Sequence, residues 1–148
     1  MKIVLDADAT PVLKEVVAVA SFAKIPLLII SDYNHHLETE YGTVILVDQA
    51  QDSADHAIIS HTLNGDLVIT QDYGLAALIL SKKAYAMHHD GWFYKASNID
   101  QLLTRRHLQQ KQRKFTKRYT KIPKRKAIQN NVFKEKLTQF LIEKGVTK

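Results

Sequence analysis

The chain contains no cysteine, which excludes a disulfide framework, a thiolate zinc site and a cysteine nucleophile together. It also lacks any apolar run of the roughly 20 residues that a spanning helix requires. Its longest such stretches, residues 16–23 and 25–30, are separated by Lys24 and interrupted by Pro26. The opening Met1-Lys2-Ile3-Val4-Leu5-Asp6 meets an acid at the sixth position, which argues against a secretory signal. A soluble protein of the cytoplasm, with no membrane partner, is the expected setting. Acids are missing from one long stretch: none occurs between Gln101 and Lys134, where Lys and Arg number twelve.

What is present fits one domain of ordinary size, with 148 residues of which 45% are apolar. The formal net charge of +6 conceals a division. Residues 1–99 carry 6 Lys+Arg against 12 Asp+Glu, whereas residues 100–148 carry 15 against 3. A compact acidic body with a basic tail is the pattern expected of a protein that meets polyanions.

Short apolar runs alternate with helix-period segments through the first ninety residues. Residues 2–6, 26–30, 43–47, 67–70 and 84–88 read as strands, and 11–24, 53–63 and 73–81 as helices. Thr10 before Pro11 forms a helix start, a capping hydroxyl followed by proline at the first helical position. Residues 32–42 form a polar loop, and Asn64-Gly65-Asp66 is a stop signal. Strands that are apolar throughout and separated by helices imply a mainly parallel sheet of about five strands, covered on both faces. Beyond it, Trp92-Phe93-Tyr94 is an apolar cluster expected to dock on the body, and Ser97 or Asn98 caps a further helix. A last amphipathic helix over 131–148 carries Val132, Phe133, Leu137, Phe140 and Leu141 on one stripe, which must pack back on the body or support a homodimer.

Ligands of open α/β sheets sit outside the carboxyl ends of the strands, and acids fall at that edge. Asp6 and Asp8 end the first strand, Asp72 follows the fourth, and Asp52 and Asp55 open the helix after the third. Crowded carboxylates raise one another's pKa unless a cation neutralises them. A hard divalent ion, Mg²⁺ or Mn²⁺, is the economical solution. Against this stands the preference of Asp for helix caps, which Asp8, Asp52 and Asp72 could satisfy alone. Asp48 and Asp66 read as loop or turn residues.

The segment Met1 to Pro11, with Asp6-Ala7-Asp8-Ala9-Thr10-Pro11, resembles the opening of the YaiI/YqxD family of uncharacterised bacterial proteins. The resemblance continues through Asp52-Ser53-Ala54-Asp55, Asp66 to Ala76, His88-His89-Asp90-Gly91, and Asn98 to Leu103 with Arg105, and so spans residues 1–106. It implies a PIN-like three-layer α/β/α sandwich, the fold of metal-dependent nucleases with clustered acids. Asp6, Asp8, Asp55 and Asp72 match the acidic positions, with Asp52 as a fifth. Two departures stand out. Thr10 replaces the family's cysteine, and Lys121-Ile122-Pro123-Lys124-Arg125-Lys126 replaces a stretch that relatives fill with Lys-Gly-Pro-Lys-Pro-Phe.

The organisation expected is therefore an α/β domain over 1–106, a basic segment over 107–130 and the terminal helix. Arg105, Arg106, Arg113, Lys114, Lys117 and Arg118 are the candidates to contact a nucleic acid, RNA ahead of DNA, with Phe115 and Tyr119 free to stack on bases. The bland alternative for this run is a solvated connector. Thr10 and Thr70 are supporting residues near the strand ends. Among the seven histidines no pair has the i, i+4 spacing of a helical zinc site. The side chains of His35-His36 and His88-His89 are expected to diverge; His88 and His89 follow the fifth strand and could line the cleft, but polar surface roles are preferred for them. The expected function is hydrolysis of phosphodiester bonds with Mg²⁺ or Mn²⁺; the alternative is a module that binds nucleic acid or a nucleotide without cutting it.

Overall fold

Apolar side chains line both faces of every strand in the centre of the sheet, and helices cover both. The structure is a computed structural model that describes residues 1–32, 37–50, 53–105 and 125–146. Strands β1 (Ile3–Asp6), β2 (Leu27–Asp32), β3 (Thr43–Val47), β4 (Leu67–Ile69) and β5 (Tyr85–Met87) form one parallel sheet in the order β3-β2-β1-β4-β5. The helices are α1 (Leu13–Ala23), α2 (Ser53–His61), α3 (Tyr73–Ser81), α4 (residues 96–105) and α5 (Ala127–Glu143).

Strand periodicity divides the core into two halves. Ile3, Leu5, Leu27, Ile29, Leu67, Ile69 and Met87 face one side, with Val16, Val19 and Ala20 of α1 and Phe133, Leu137 and Leu141 of α5. Val4, Ile30, Val68 and Ala86 face the other, with Ile58 of α2, Leu75, Ala76 and Ile79 of α3, and Ile99 of α4. The result is the expected three-layer α/β/α sandwich. Each buried Leu or Ile contributes about 1.5–3 kcal/mol of transfer free energy, so both helical layers belong to the stabilising core.

Two helix starts differ from expectation. The Thr10 side chain does not cap α1: Val12 holds the N-cap position, and the Thr10 hydroxyl donates to the Asp6 carbonyl at 2.9 Å. A single 3₁₀ turn at Ala7–Ala9 follows β1, and Thr10 is extended (φ −138°, ψ 141°), as the clash of a following proline ring demands. The last helix starts at Ala127, four residues before 131, with the Gln129 side chain accepting from the Lys126 backbone at 2.7 Å. Its buried stripe is Phe133, Leu137, Phe140 and Leu141, and Val132 is 41% exposed and lies off it. The stripe packs back against α1, so the apolar partner it required is in the chain itself.

Segment 92–94 docks as expected. Phe93 bridges to Met87 in antiparallel sense, the Tyr94 N–H donates to the Ala86 carbonyl at 2.9 Å, and Tyr94 is buried. Among the described residues no helix is long and apolar enough to cross a membrane. The sheet order places the reversal of direction between β1 and β4. From β1 the chain moves outward to β2 and β3, and α2 then returns it to β4 on the other side of β1. The carboxyl ends of β1 and β4 are therefore the edge at which a sheet of this order binds ligands.

Candidate functional site

At that edge Asp6 ends β1, and its Oδ2 accepts a hydrogen bond from the Thr70 hydroxyl, just beyond β4, at 2.8 Å. Thr70 is fully buried and fixed at three further points. Its N–H donates to the Met87 carbonyl, its carbonyl accepts from the Tyr94 hydroxyl at 3.1 Å, and its Oγ1 accepts from the Asp72 N–H at 3.1 Å. Asp72 in turn caps α3, its Oδ1 accepting from the Leu75 N–H at 3.1 Å. Asp8, in the 3₁₀ turn, accepts from the Ser31 hydroxyl at 2.9 Å and from the Asp32 N–H at 2.8 Å, which ties the end of β1 to the end of β2. It caps no helix. Asp55 sits in the first turn of α2.

The electrostatics report the convergence directly. Asp6 is 5% exposed, and its carboxyl is pushed up to about 6. Burial is the largest cause, opposed by the Thr70 hydrogen bond and reinforced by the charges of Asp55, Asp72 and Asp8. Three expected acids from separate parts of the chain therefore act on a fourth, Asp6. All donors gathered here are hard oxygens, the chemistry that suits Mg²⁺ or Mn²⁺. Among the described residues no three of these acids place ligand atoms within 4.8 Å of one another, and Mg²⁺ characteristically keeps several waters and uses one or two carboxylates.

The other expected residues that the structure describes do not belong to this set. Thr10 supports the turn after β1 through the Asp6 carbonyl, and Arg105 is exposed at the end of α4. Asp66 is a structural clamp: it accepts from the Lys2 N–H at 3.1 Å, from the Leu63 N–H at 2.8 Å and from the Lys2 ammonium. Asp48 is exposed in a loop. Asp52, Arg106, Arg113, Lys114, Lys117 and Arg118 lie outside the described residues, as do His35, His36, Phe115 and Tyr119.

Ser31, Asp32 and Tyr94 position the site without having been expected there. The signal for the first two was an apolar strand ending in polar residues, the same pattern that marked Asp6. Reading β2 as ending at Ile30 hid it. The polar surface role assigned to His88 is also corrected: the residue is 8% exposed, and its ring stacks on the Trp92 indole at 4.5 Å. Nor do the His88 and His89 side chains diverge, since their ring centroids are 4.1 Å apart.

Comparison with known proteins agrees with the sequence motifs. The model of the "Uncharacterized BCR, YaiI/YqxD family" matches residues 4–143. A UPF0178 protein of Alkaliphilus oremlandii is 44% identical over 143 residues, covering 97% of this chain and 92% of its own. Another from Natranaerobius thermophilus is 43% identical and covered to 97% on both sides. A third, from Clostridium acetobutylicum, is 39% identical over 146 residues, or 98% of this chain and 99% of its own. No solved structure matches. With a family model and relatives covering nearly its full length, the chain belongs to the YaiI/YqxD family.

Proposed function

We propose that this protein is a cytoplasmic, PIN-like nuclease that hydrolyses phosphodiester bonds with Mg²⁺ or Mn²⁺, and acts on RNA before DNA. The observation that carries the reading is the buried Asp6 carboxyl, held near 6 with Asp8, Asp55 and Asp72 acting on it at the switch point of the sheet. A protein that needed these residues only as caps would have no reason to aim their charges at one buried acid. Crowded acids cost free energy unless something cationic repays it, and the fold pays that cost where α/β sheets bind ligands.

A bound divalent cation supplies neutralisation of this charge, activation of water and stabilisation of the phosphoryl oxygens. The chain's own residues do the positioning. Thr70 orients the Asp6 carboxylate, and Ser31 with the Asp32 N–H orients Asp8. Asp72 is held by α3 itself. Asp52 is the fifth acid of the set. Arg105, Arg106, Arg113, Lys114, Lys117 and Arg118 hold the phosphate backbone, with affinity that falls steeply as salt rises.

Cleavage of labelled single-stranded RNA with Mn²⁺, compared between wild type and Asp8→Asn, tests the reading. Cleavage by wild type and its loss in the variant is the expected result. Equal cleavage by both, or none by wild type across RNA and DNA substrates, overturns it. Binding of RNA that is indifferent to metal, with no cleavage, identifies a non-catalytic nucleic-acid module instead.

A further inference from the structure

An open groove of about 1030 Å³ runs beside β5, and the proposed reaction does not use it. It is lined by β5 itself, residues 91–95, the first turn of α4 and the second half of α5. Its volume is at the upper end for sites that take drug-sized ligands, and larger than one nucleobase requires. Phe140 links its rings, with centroids 5.2 Å from Tyr85 and 4.8 Å from Phe93. Phe140 is buried, while Tyr85 and Phe93 are half-buried, so ring surface remains accessible. Trp92, the chain's single tryptophan, belongs to the same lining.

Charge is the second, independent observation. Lys83, Lys95, Lys136 and Lys144 line the groove and are all exposed, against one acid, Glu143, whose Oε1 accepts from Gln139 Nε2 at 3.2 Å. The Lys144 ammonium lies 4.7 Å from the Tyr85 ring centroid and 5.7 Å from that of Phe140. Lys136 is seated on the turn at Gly91 (φ +99°), where an added Cβ would stand 3.0 Å from the Lys136 Cγ. Cations and aromatic surface thus meet in one place. The acid-free segment that follows α4 carries the same sign of charge, so it is not the occupant. A ligand that suits both features has negative charge and a flat, stackable group.

We propose that the groove binds single-stranded nucleic acid, with unpaired bases on the Tyr85 and Phe93 rings, backed by Phe140, and phosphates on Lys95, Lys136 and Lys144. A duplex hides the base faces that such rings recognise. Stacking of a base outweighs an exposed cation–π contact, so a base displaces the Lys144 ammonium from Tyr85 and the ammonium turns to the phosphate. Tyr94, also in the lining, donates from its hydroxyl to the Thr70 carbonyl at 3.1 Å, and the Thr70 hydroxyl holds Asp6. One tyrosine thus joins the groove to the acids. The inference rests on the nuclease reading only in making the bound strand its substrate.

Titration of the full-length protein with short oligouridylate at low salt tests this through Trp92 fluorescence, with chelator present to prevent cleavage. Saturable quenching that weakens as salt rises is the expected result. Lys95→Gln and Lys136→Gln should each reduce the salt slope by about 0.7, and Tyr85→Leu should weaken binding at least about fivefold. Inorganic polyphosphate of equal charge should compete far less well than the oligonucleotide. Thermal unfolding of each variant establishes that it is folded. No quenching of folded wild type, binding at wild-type strength by folded Tyr85→Leu and Lys136→Gln, or equal competition by polyphosphate would overturn the proposal. Quenching without Mn²⁺-dependent cleavage upholds the groove and removes the nuclease reading. Cleavage without quenching upholds the nuclease and removes the groove.

Discussion

The Thr70 hydroxyl donates to the buried Asp6 carboxyl across 2.8 Å, joining residues 64 apart in the chain. Among the described residues, that bond holds the Asp6 carboxyl down against burial and three neighbouring charges. Thr70→Val keeps the shape and removes the hydroxyl. It should raise the Asp6 carboxyl above 6 and lower stability by about 1–3 kcal/mol, because the Asp72 N–H loses its acceptor as well. Carboxyl resonances followed against pH by NMR would reveal the change. An Asp6 titration unmoved by the substitution would refute this account of its control.

Asp6 and His88 should oppose each other in the pH dependence of stability of the metal-free protein. With its carboxyl raised from 3.8 to about 6, folded Asp6 keeps a proton that the unfolded chain has released, so stability falls as pH climbs through that window. With its imidazole lowered from 6.5 to about 4, mainly by burial, folded His88 refuses a proton that the unfolded chain binds, so stability falls as pH drops through its own window. Each effect is worth about 3 kcal/mol, and they nearly cancel between pH 4 and 6. Asp6→Asn should therefore show stability rising with pH over this range, and His88→Gln should show it falling. Urea midpoints collected with chelator present decide the matter, and parallel profiles for all three proteins would contradict it.

Asp66, just before β4, clamps Lys2, just before β1, to the turn that begins at Leu63. Burial alone would raise its carboxyl, but the bonds from Lys2 and Leu63 outweigh it and hold the group below the usual range. Asp66→Ala leaves two backbone N–H groups without their acceptor, at about 2–4 kcal/mol in total. Denaturant unfolding at pH 7 measures the loss, which should shrink as pH falls and wild-type Asp66 takes up its proton. A loss that stays constant into acid would mean the charge of Asp66 contributes nothing.

Phe133 and Leu137 are fully buried between α1 and the sheet. Phe133→Ala should cost about 3–5 kcal/mol and Leu137→Ala about 2–5 kcal/mol. If the terminal helix were a detachable appendage, neither change would move the unfolding midpoint of the domain.

Much of this fold was legible because short, wholly apolar strands alternate with segments of helical period. The strands β1, β2 and β4 are apolar on both faces, as a sheet covered on both sides requires, and the stop at Asn64-Gly65 coincides with a turn in which Gly65 has φ +88°. The acids were legible because a charged residue ending an apolar strand has few structural uses. What escaped were features set by backbone geometry across short spans. Thr10 reads as a cap, yet an intervening 3₁₀ turn directs its hydroxyl backwards to Asp6. His88 and His89 read as a diverging pair, because neighbours in an extended strand point to opposite faces. The turn closed by Gly91 cancels that rule and stacks their rings. Val132 shares the helical period of its neighbours but stands at the margin of the stripe, where only packing against α1 decides exposure.

The pairing of β1 with both β2 and β4 bears on the order in which the molecule can assemble. Strands β1, β2 and β3 lie within the first 47 residues, and their pairing is local enough to form early. Neither Asp55 nor Asp72 can reach Asp6 until α2 has crossed the half-built sheet and β4 has zipped onto β1. The repulsion that Asp55 and Asp72 add at Asp6 is thus absent from the early half-sheet and arises with the final strands. A cation bound among these acids would act on that last step, slowing the departure of β4 far more than hastening the first collapse.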